Sequence, residues 1–389
     1  MNSKWNFAVV VSLFFLWALA HNLNPILISQ LKQAFSLNDV NASLVDASFY
    51  LAYFIGAIPA GIWIRKRGYK SGVLLGLVLF AAGAFGFFPA AQWLSYPIFL
   101  VSLFTIGFGL TFLETSANPL VTQFEVGKGP SFRLNLAQSF NGLGATLAGW
   151  IGGFLVFKTT DDVSTYAELA QSVVTPYLLI GSFVLLVALF FSRVNISETG
   201  RTLKSGKPLA NVGFRWAMMA QFLYVGAQVG VCGFFIRYVV QYYHWSKEDA
   251  AYLFSLALLC FMIGRFLGTF LLRWISGRQM LFFCSSTAML ISVYLSLQGW
   301  GSIYLLLLLL LMMSIMFPTI FSLGMEVLKS EDQPMGASLI IMTIVGGALI
   351  PPAMGKISDL FGLSWAYLLP AICFLFILIF AKKTSHGIQ

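Results

Sequence analysis

One stretch of this chain reads Ser102-Leu-Phe-Thr-Ile-Gly-Phe-Gly-Leu-Thr-Phe-Leu-Glu-Thr-Ser-Ala-Asn-Pro-Leu120, and it is apolar enough to cross a membrane. Its single ionisable side chain is Glu114. A charged group at the centre of a membrane helix costs roughly 2.5 to 3.5 kcal/mol on insertion scales, so such residues are rare and mark functional positions. The stretch predicts a membrane-spanning helix with a functional acid inside it.

The rest of the chain has a similar composition. Of its 389 residues, 59% are hydrophobic and 10% are charged, whereas about 25% of the residues in soluble domains are charged. A bilayer core of about 30 Å requires about 20 mostly apolar residues per helix. Twelve segments meet this requirement: 8–30, 43–64, 71–90, 96–123, 134–157, 174–194, 214–240, 249–275, 279–297, 302–327, 335–358 and 364–382. We predict an all-α membrane protein with twelve transmembrane helices and no soluble catalytic domain.

The net charge of +9 is distributed as a topology signal. With an even number of spans both termini lie on one side, and most basic loop residues fall on that side, including the run Arg65-Lys66-Arg67 and the pair Lys204 and Lys207. The positive-inside rule then places both termini in the cytoplasm. We expect a multi-pass protein of the bacterial inner membrane, monomeric, with the lipid bilayer as its surroundings and no nucleic-acid partner.

A polar break at 195–213 separates six spans from six. The halves repeat weakly, since Gly142-x-Gly144 in span five corresponds to Gly346-Gly347 in span eleven. Small residues of this kind let helix backbones approach closely. We predict an N-terminal six-helix bundle at 1–194, a cytoplasmic linker at 195–213 and a C-terminal six-helix bundle at 214–389. Two such bundles form the major-facilitator fold, in which substrate is held near the membrane midplane.

Polar side chains inside the spans follow helical spacing. Glu114 and Asn118 are four residues apart on span four, and Gln138 and Asn141 are three apart on span five, so each pair shares one helix face. Lipid does not tolerate such faces, which must line a cavity or pack against protein. The other candidate ligands are His21, Asn22 and Asn24 of span one and Gln221, Tyr224, Gln228 and Phe317 of the second half.

An amide-rich wall opposite an aromatic wall suits a neutral ligand with many hydroxyl groups. The hydroxyls require donors and acceptors, and the C–H face of a sugar stacks on aromatic rings. These residues therefore predict a monosaccharide substrate. The intramembrane residues show no metal-ligand spacing, nucleophile–base pair or phosphate loop, so we expect no metal, no cofactor and no enzyme activity. A sugar sensor would require a partner-binding domain, which we do not expect from such short termini.

Several segments together resemble the fucose, galactose and glucose permease family of the major facilitator superfamily. They include Phe14-Phe-Leu-Trp-Ala-Leu-Ala-His-Asn-Leu-Asn24, Leu113-Glu-Thr-Ser-Ala-Asn-Pro119 and Phe132-Arg-Leu-Asn-Leu-Ala-Gln-Ser-Phe-Asn141. The resemblance implies a proton-coupled sugar symporter with alternating access. In that family pattern, Glu114 couples the proton, and Gln138 and Asn141 contact the sugar.

The chain departs from this pattern in span one, where Pro25 replaces a second carboxylate. This leaves three coupling modes open: proton symport, sodium symport, since carboxylate and amide oxygens also suit a hard cation, and uncoupled uniport. The candidate gating or coupling residues are His21, Asp46 and Arg265. For Asp46 we favour a role at the start of span two, where an acid interacts well with the helix dipole. For Arg265 we favour a stabilising pair with a carbonyl or carboxylate.

Overall fold

The computed structural model describes residues 3–34, 39–127, 129–160, 174–196, 207–298 and 303–383. Within these ranges, side chains are not described at residues 3, 21, 23–34, 39–43, 46–47, 149–160 and 298.

All regular elements in the described part are helical. The α-helices are α1 Ser3–Ala34, α2 Asp39–Arg67, α3 Tyr69–Gln92, α4 Tyr96–Thr122, α5 Gly129–Thr160, α6 Val174–Arg193, α7 Val212–Tyr243, α8 Lys247–Leu271, α9 Gly277–Gln298, α10 Ile303–Met313, α11 Met316–Glu326, α12 Gln333–Met342, α13 Gly346–Phe361 and α14 Leu368–Lys383. Short 3₁₀ helices lie at Pro208–Ala210, Thr343–Val345 and Trp365–Tyr367.

Each of the twelve predicted spans coincides with helix in this structure, so the all-helical, twelve-span prediction is confirmed. Ten helical stretches of the described residues are long and apolar enough to cross a membrane. The protein is therefore a multi-pass membrane protein. Two spans are interrupted: the tenth consists of α10 and α11, and the eleventh of α12 and α13 with a 3₁₀ turn between them.

The chain divides into two compact units. Unit 1 comprises Met1–Glu125 and Phe140–Lys204, and unit 2 comprises Val126–Ser139 and Ser205–Gln389. The first part of α5 thus packs with the later helices of the chain. In unit 1, α4 packs against α2 and α3, and in unit 2, α7 packs against α11, α13 and α14. The bounds 1–194, 195–213 and 214–389 stay a prediction.

The predicted close approach of helices at glycine is present in both units. In unit 1, a Cβ atom on Gly144 would overlap the carbonyl oxygen of Phe15 in α1. In unit 2, a Cβ atom on Gly346 would overlap the carbonyl oxygen of Phe222 in α7. Only glycine fits at such a backbone contact. The weak sequence repeat therefore corresponds to the same packing contact in both units.

Candidate functional site

Small residues bring α2 close to α4 beside Glu114. A Cβ atom on Gly107 would lie 3.0 Å from the Cβ of Ala52, and one on Gly56 would lie 3.0 Å from the ring of Phe108. The single hydrogen of the Thr111 hydroxyl is shared between the carbonyl oxygens of Gly107, at 2.9 Å, and Ala52, at 3.4 Å. This contact fixes the position of α2 along the axis of α4. It thereby determines which side chain of α2 lies next to Glu114.

That side chain is Tyr53. Its hydroxyl donates a hydrogen bond to Glu114 Oε1 at 2.7 Å. Tyr53 is 3% exposed, whereas Glu114 is half-buried. Among the described residues, no other side chain or backbone group hydrogen bonds to this carboxylate. One carboxylate oxygen is therefore fixed by α2, and the other is available to a proton or a ligand.

The hydropathy pattern of the sequence indicates no role for Tyr53. By composition alone, a tyrosine in an apolar span is an aromatic packing residue. The available signal was its position between Ala52 and Gly56, because two small residues on one helix indicate a close helix contact. A close contact of α2 with α4 would have brought Tyr53 to the acid.

The other predicted ligands of spans four and five lie on the predicted helices. Asn118 is fully buried on α4. On α5, Asn141 is half-buried and its Nδ2 donates to the carbonyl oxygen of Phe14 in α1 at 3.3 Å. Gln138 is 6% exposed, and its backbone carbonyl oxygen accepts a hydrogen bond from Arg265 Nη1 at 2.8 Å. Asn118 and Asn141 belong to unit 1, and Gln138 to unit 2.

Span one is described only in part. Asn22 is half-buried, and its Nδ2 donates to the carbonyl oxygen of Ala18 one turn earlier, at 2.8 Å. The side chains of His21, Asn24 and Asp46 lie outside the described residues. Their predicted roles stay predictions.

In unit 2, Tyr224 is fully buried, and its hydroxyl donates to the carbonyl oxygen of Met313 at 2.7 Å. The ring of half-buried Phe317 lies 6.5 Å from the Tyr224 ring, at 58°. Gln228 is half-buried one turn further along α7. Gln221 is fully buried one turn before Tyr224, and neither atom of its amide has a hydrogen-bond partner among the described residues. The structure thus brings Tyr224 and Phe317 together.

Arg265 lies inside α8 and is 9% exposed. Besides the carbonyl oxygen of Gln138, it binds the carbonyl oxygen of Ser314 through Nε at 3.3 Å. Its guanidinium carbon lies 4.9 Å from the ring centroid of Phe261. The expected pairing with a carbonyl is therefore present twice.

In the part of the chain that the structure describes, no three His, Cys, Asp or Glu side chains are close enough to hold a metal ion.

Comparison with known proteins identifies the family. The chain is 41% identical to the L-fucose-proton symporter of Escherichia coli, over 98% of this chain and 93% of the relative. It is 34% identical to a glucose/galactose transporter of Brucella abortus, over 94% of this chain and 90% of the relative.

A crystal structure of the E. coli fucose:proton symporter matches this fold with a TM-score of 0.92 and 38% sequence identity, and 100% of each chain is covered. The family model described as Major Facilitator Superfamily matches residues 7–344. With a family match over most of its length and close full-length relatives, this chain belongs to the Major Facilitator Superfamily.

Proposed function

We propose that the protein is a secondary active transporter that imports a monosaccharide by symport with a proton, through alternating access. The substrate class is fucose-, galactose- or glucose-like, since the relatives are named for transport of these sugars. We place the protein in the bacterial inner membrane with both termini in the cytoplasm, on the basis of its loop charges. We also propose that it acts as a monomer.

The observation that carries this proposal is the hydrogen bond from Tyr53 to Glu114. It leaves one oxygen of a membrane-embedded carboxylate without a partner among the described residues. A permanently paired structural acid would have both oxygens engaged, because buried polar atoms are nearly always hydrogen-bonded. A half-engaged, half-buried carboxylate is suited to gain and lose a proton during a transport cycle.

Binding of a proton at Glu114 and binding of the sugar favour one another. Tyr53 donates to Oε1 in either protonation state, so an incoming proton binds Oε2. The resulting O–H group is a donor for a sugar hydroxyl, and protonation removes the cost of carrying a charge through the low-dielectric part of the membrane. Carriers that are empty or loaded with both proton and sugar reorient, and a carrier loaded with one of them does not.

The sugar ligands that we propose are polar or aromatic side chains of the spans. They are Gln138, Asn141, Asn118, Asn22, Asn24, Gln228, Tyr224 and Phe317. The amides supply donors and acceptors to hydroxyl groups, and Phe317 supplies an aromatic face for the C–H side of the ring. For gating or coupling we propose His21, Asp46 and Arg265.

Uncoupled uniport is the second candidate, and the observation that favours it is Pro25, which removes an acid of the family pattern from span one. With Pro25 at this position, Glu114 is the carboxylate of the family pattern that remains for proton coupling. Sodium symport is the third outcome of the same test.

The test is transport of labelled monosaccharides in proteoliposomes, first as counterflow without ion gradients and then as net uptake. We expect counterflow of at least one sugar, and accumulation that is driven by an inward proton gradient and abolished by an uncoupler. Accumulation that requires sodium would establish sodium symport. Counterflow with no gradient-driven accumulation would establish uniport, and absence of counterflow for every sugar would overturn transport itself.

A further inference from the structure

The tenth span is broken at a defined place. Helix α10 ends at Met313, and α11 begins at Met316. Pro318 has no N–H group, so it cannot donate to the carbonyl oxygen of Ser314 one turn earlier. Side chains of two other helices bind the carbonyl groups at the break: Tyr224 binds Met313 and Arg265 binds Ser314. At the break, two backbone carbonyl groups therefore accept hydrogen bonds from side chains of α7 and α8.

Two glycines explain why Arg265 reaches this place. A Cβ atom on Gly264 would lie 2.9 Å from the carbonyl oxygen of Leu311, and one on Gly268 would overlap the side chain of Ile315. The Gly-x-x-x-Gly spacing therefore lets α8 lie directly against the break, as small residues do in other membrane helix pairs. Arg265, next to the first glycine, is held within reach of Ser314.

The guanidinium of Arg265 also donates a hydrogen bond to α5. Its Nη1 donates to the backbone carbonyl oxygen of Gln138 at 2.8 Å, while its Nε donates to the backbone carbonyl oxygen of Ser314 at 3.3 Å. The next residue of α5, Ser139, shares a hydrogen bond of 3.2 Å with the Thr269 hydroxyl, one turn after Arg265. One rigid group thus joins the turn of α5 that contains Gln138 to the break in span ten.

Arginine is suited to this position by its shape. A buried charge is costly unless its donors are satisfied. Here two carbonyl oxygens and the face of Phe261 provide compensation, because aromatic faces attract cations. The guanidinium holds its donors in a fixed plane, whereas the lysine ammonium is a compact point charge on a flexible stem. Lysine would keep the charge and lose the fixed geometry.

We propose that Arg265 is a positioning residue for the sugar site, which fixes the Gln138 turn of α5 to the break at Met313–Met316 and so couples sugar binding to the conformation of span ten. This rests on the proposed role of Gln138 as a sugar ligand. Arg265 acts through Gln138 and has no contact with the sugar of its own in this proposal.

The test compares the wild type, Arg265→Lys, Gln138→Ala and the double variant in counterflow, with the sugar that the wild type transports. We expect Arg265→Lys to raise the half-saturating sugar concentration about tenfold, the size of one lost hydrogen bond to a charged group. The maximal rate per folded carrier should change much less. The double variant should be no weaker than Gln138→Ala, because both changes remove the same sugar contact. A merely structural arginine would lower the amount of folded carrier and leave the half-saturating concentration unchanged.

The matched control is Arg273→Lys, at an exposed arginine of the same unit, which should leave half-saturation unchanged. Pro318→Ala provides a second route if Arg265→Lys does not fold. Alanine supplies an N–H that competes with Arg265 for the carbonyl oxygen of Ser314, so Pro318→Ala should also raise the half-saturating sugar concentration. Combining Pro318→Ala with Gln138→Ala should raise it no further than Gln138→Ala alone.

An unchanged half-saturating concentration in Arg265→Lys or Pro318→Ala, or effects that add to that of Gln138→Ala, would overturn this inference while the wild type still transports. A wild type without counterflow would instead overturn the proposed function.

Discussion

Tyr53 on α2 donates a hydrogen bond of 2.7 Å to Glu114 on α4. A hydrogen bond to a charged group contributes about 1.5 to 3 kcal/mol. The hydrogen bond from the Tyr53 hydroxyl therefore stabilises the ionised Glu114 carboxylate more than the protonated one, and so favours release of the proton. In the transport cycle that we propose, the ionised state follows proton release to the cytoplasm, so Tyr53 supports this step.

The first prediction concerns Tyr53→Phe. We expect proton-driven net uptake to fall about tenfold or more, since loss of one charged hydrogen bond corresponds to at least a factor of ten. Counterflow, which does not require proton release, should be retained. Both rates are measured in the same proteoliposomes. Tyr252→Phe is the control, because Tyr252 is 77% exposed and should behave as the wild type. Equal losses in uptake and counterflow would argue against a role in proton release.

The second prediction concerns Glu114→Gln. Glutamine has the shape of the protonated acid, donates a hydrogen bond and cannot release a proton. Counterflow should continue, and accumulation driven by a pH gradient should disappear. Glu248→Gln, in the exposed first turn of α8, is the control and should accumulate sugar normally. Accumulation by Glu114→Gln with an unchanged pH dependence would exclude Glu114 as the coupling acid.

Hydropathy was sufficient to find the twelve spans and Glu114, because an acid in an apolar segment differs from its surroundings in the sequence itself. The pairing of Tyr53 with Glu114 and of Arg265 with two carbonyl groups depends on which helices touch, and helical periodicity does not specify this. The break in span ten was missed for another reason. Mean hydropathy is taken over a window of residues, so one proline at position 318 changes it only slightly. The same proline removes a backbone hydrogen-bond donor, and hydropathy does not record this.

The third prediction concerns packing at Gly144 and Gly346. Alanine at either position places a methyl group on a carbonyl oxygen of the neighbouring helix, and such overpacking costs about 1 to 3 kcal/mol. We expect Gly144→Ala and Gly346→Ala to lower the thermal unfolding temperature in detergent. Gly233→Ala is the control: its Cβ meets no atom within 4 Å, so the helix propensity of alanine should leave stability equal or raise it by up to about 1 kcal/mol. Equal stability of all three variants would contradict the backbone contact.

The fourth prediction separates the two hydrogen bonds of Asn211 at the start of α7. Its Oδ1 accepts from the N–H of Phe214 at 3.0 Å, and its Nδ2 donates to the carbonyl oxygen of Val327, just after α11, at 2.9 Å. Asn211→Ala removes both bonds and should destabilise the protein by about 1 to 2 kcal/mol, the usual cost of a lost N-cap. Asn211→Asp keeps the cap, since aspartate is an equally good N-cap residue, but it loses the donor to Val327. Thermal unfolding should therefore rank the wild type above Asn211→Asp and Asn211→Asp above Asn211→Ala. If Asn211→Asp were as unstable as Asn211→Ala, the contact with Val327 rather than the helix cap would be the interaction that stabilises this end of α7.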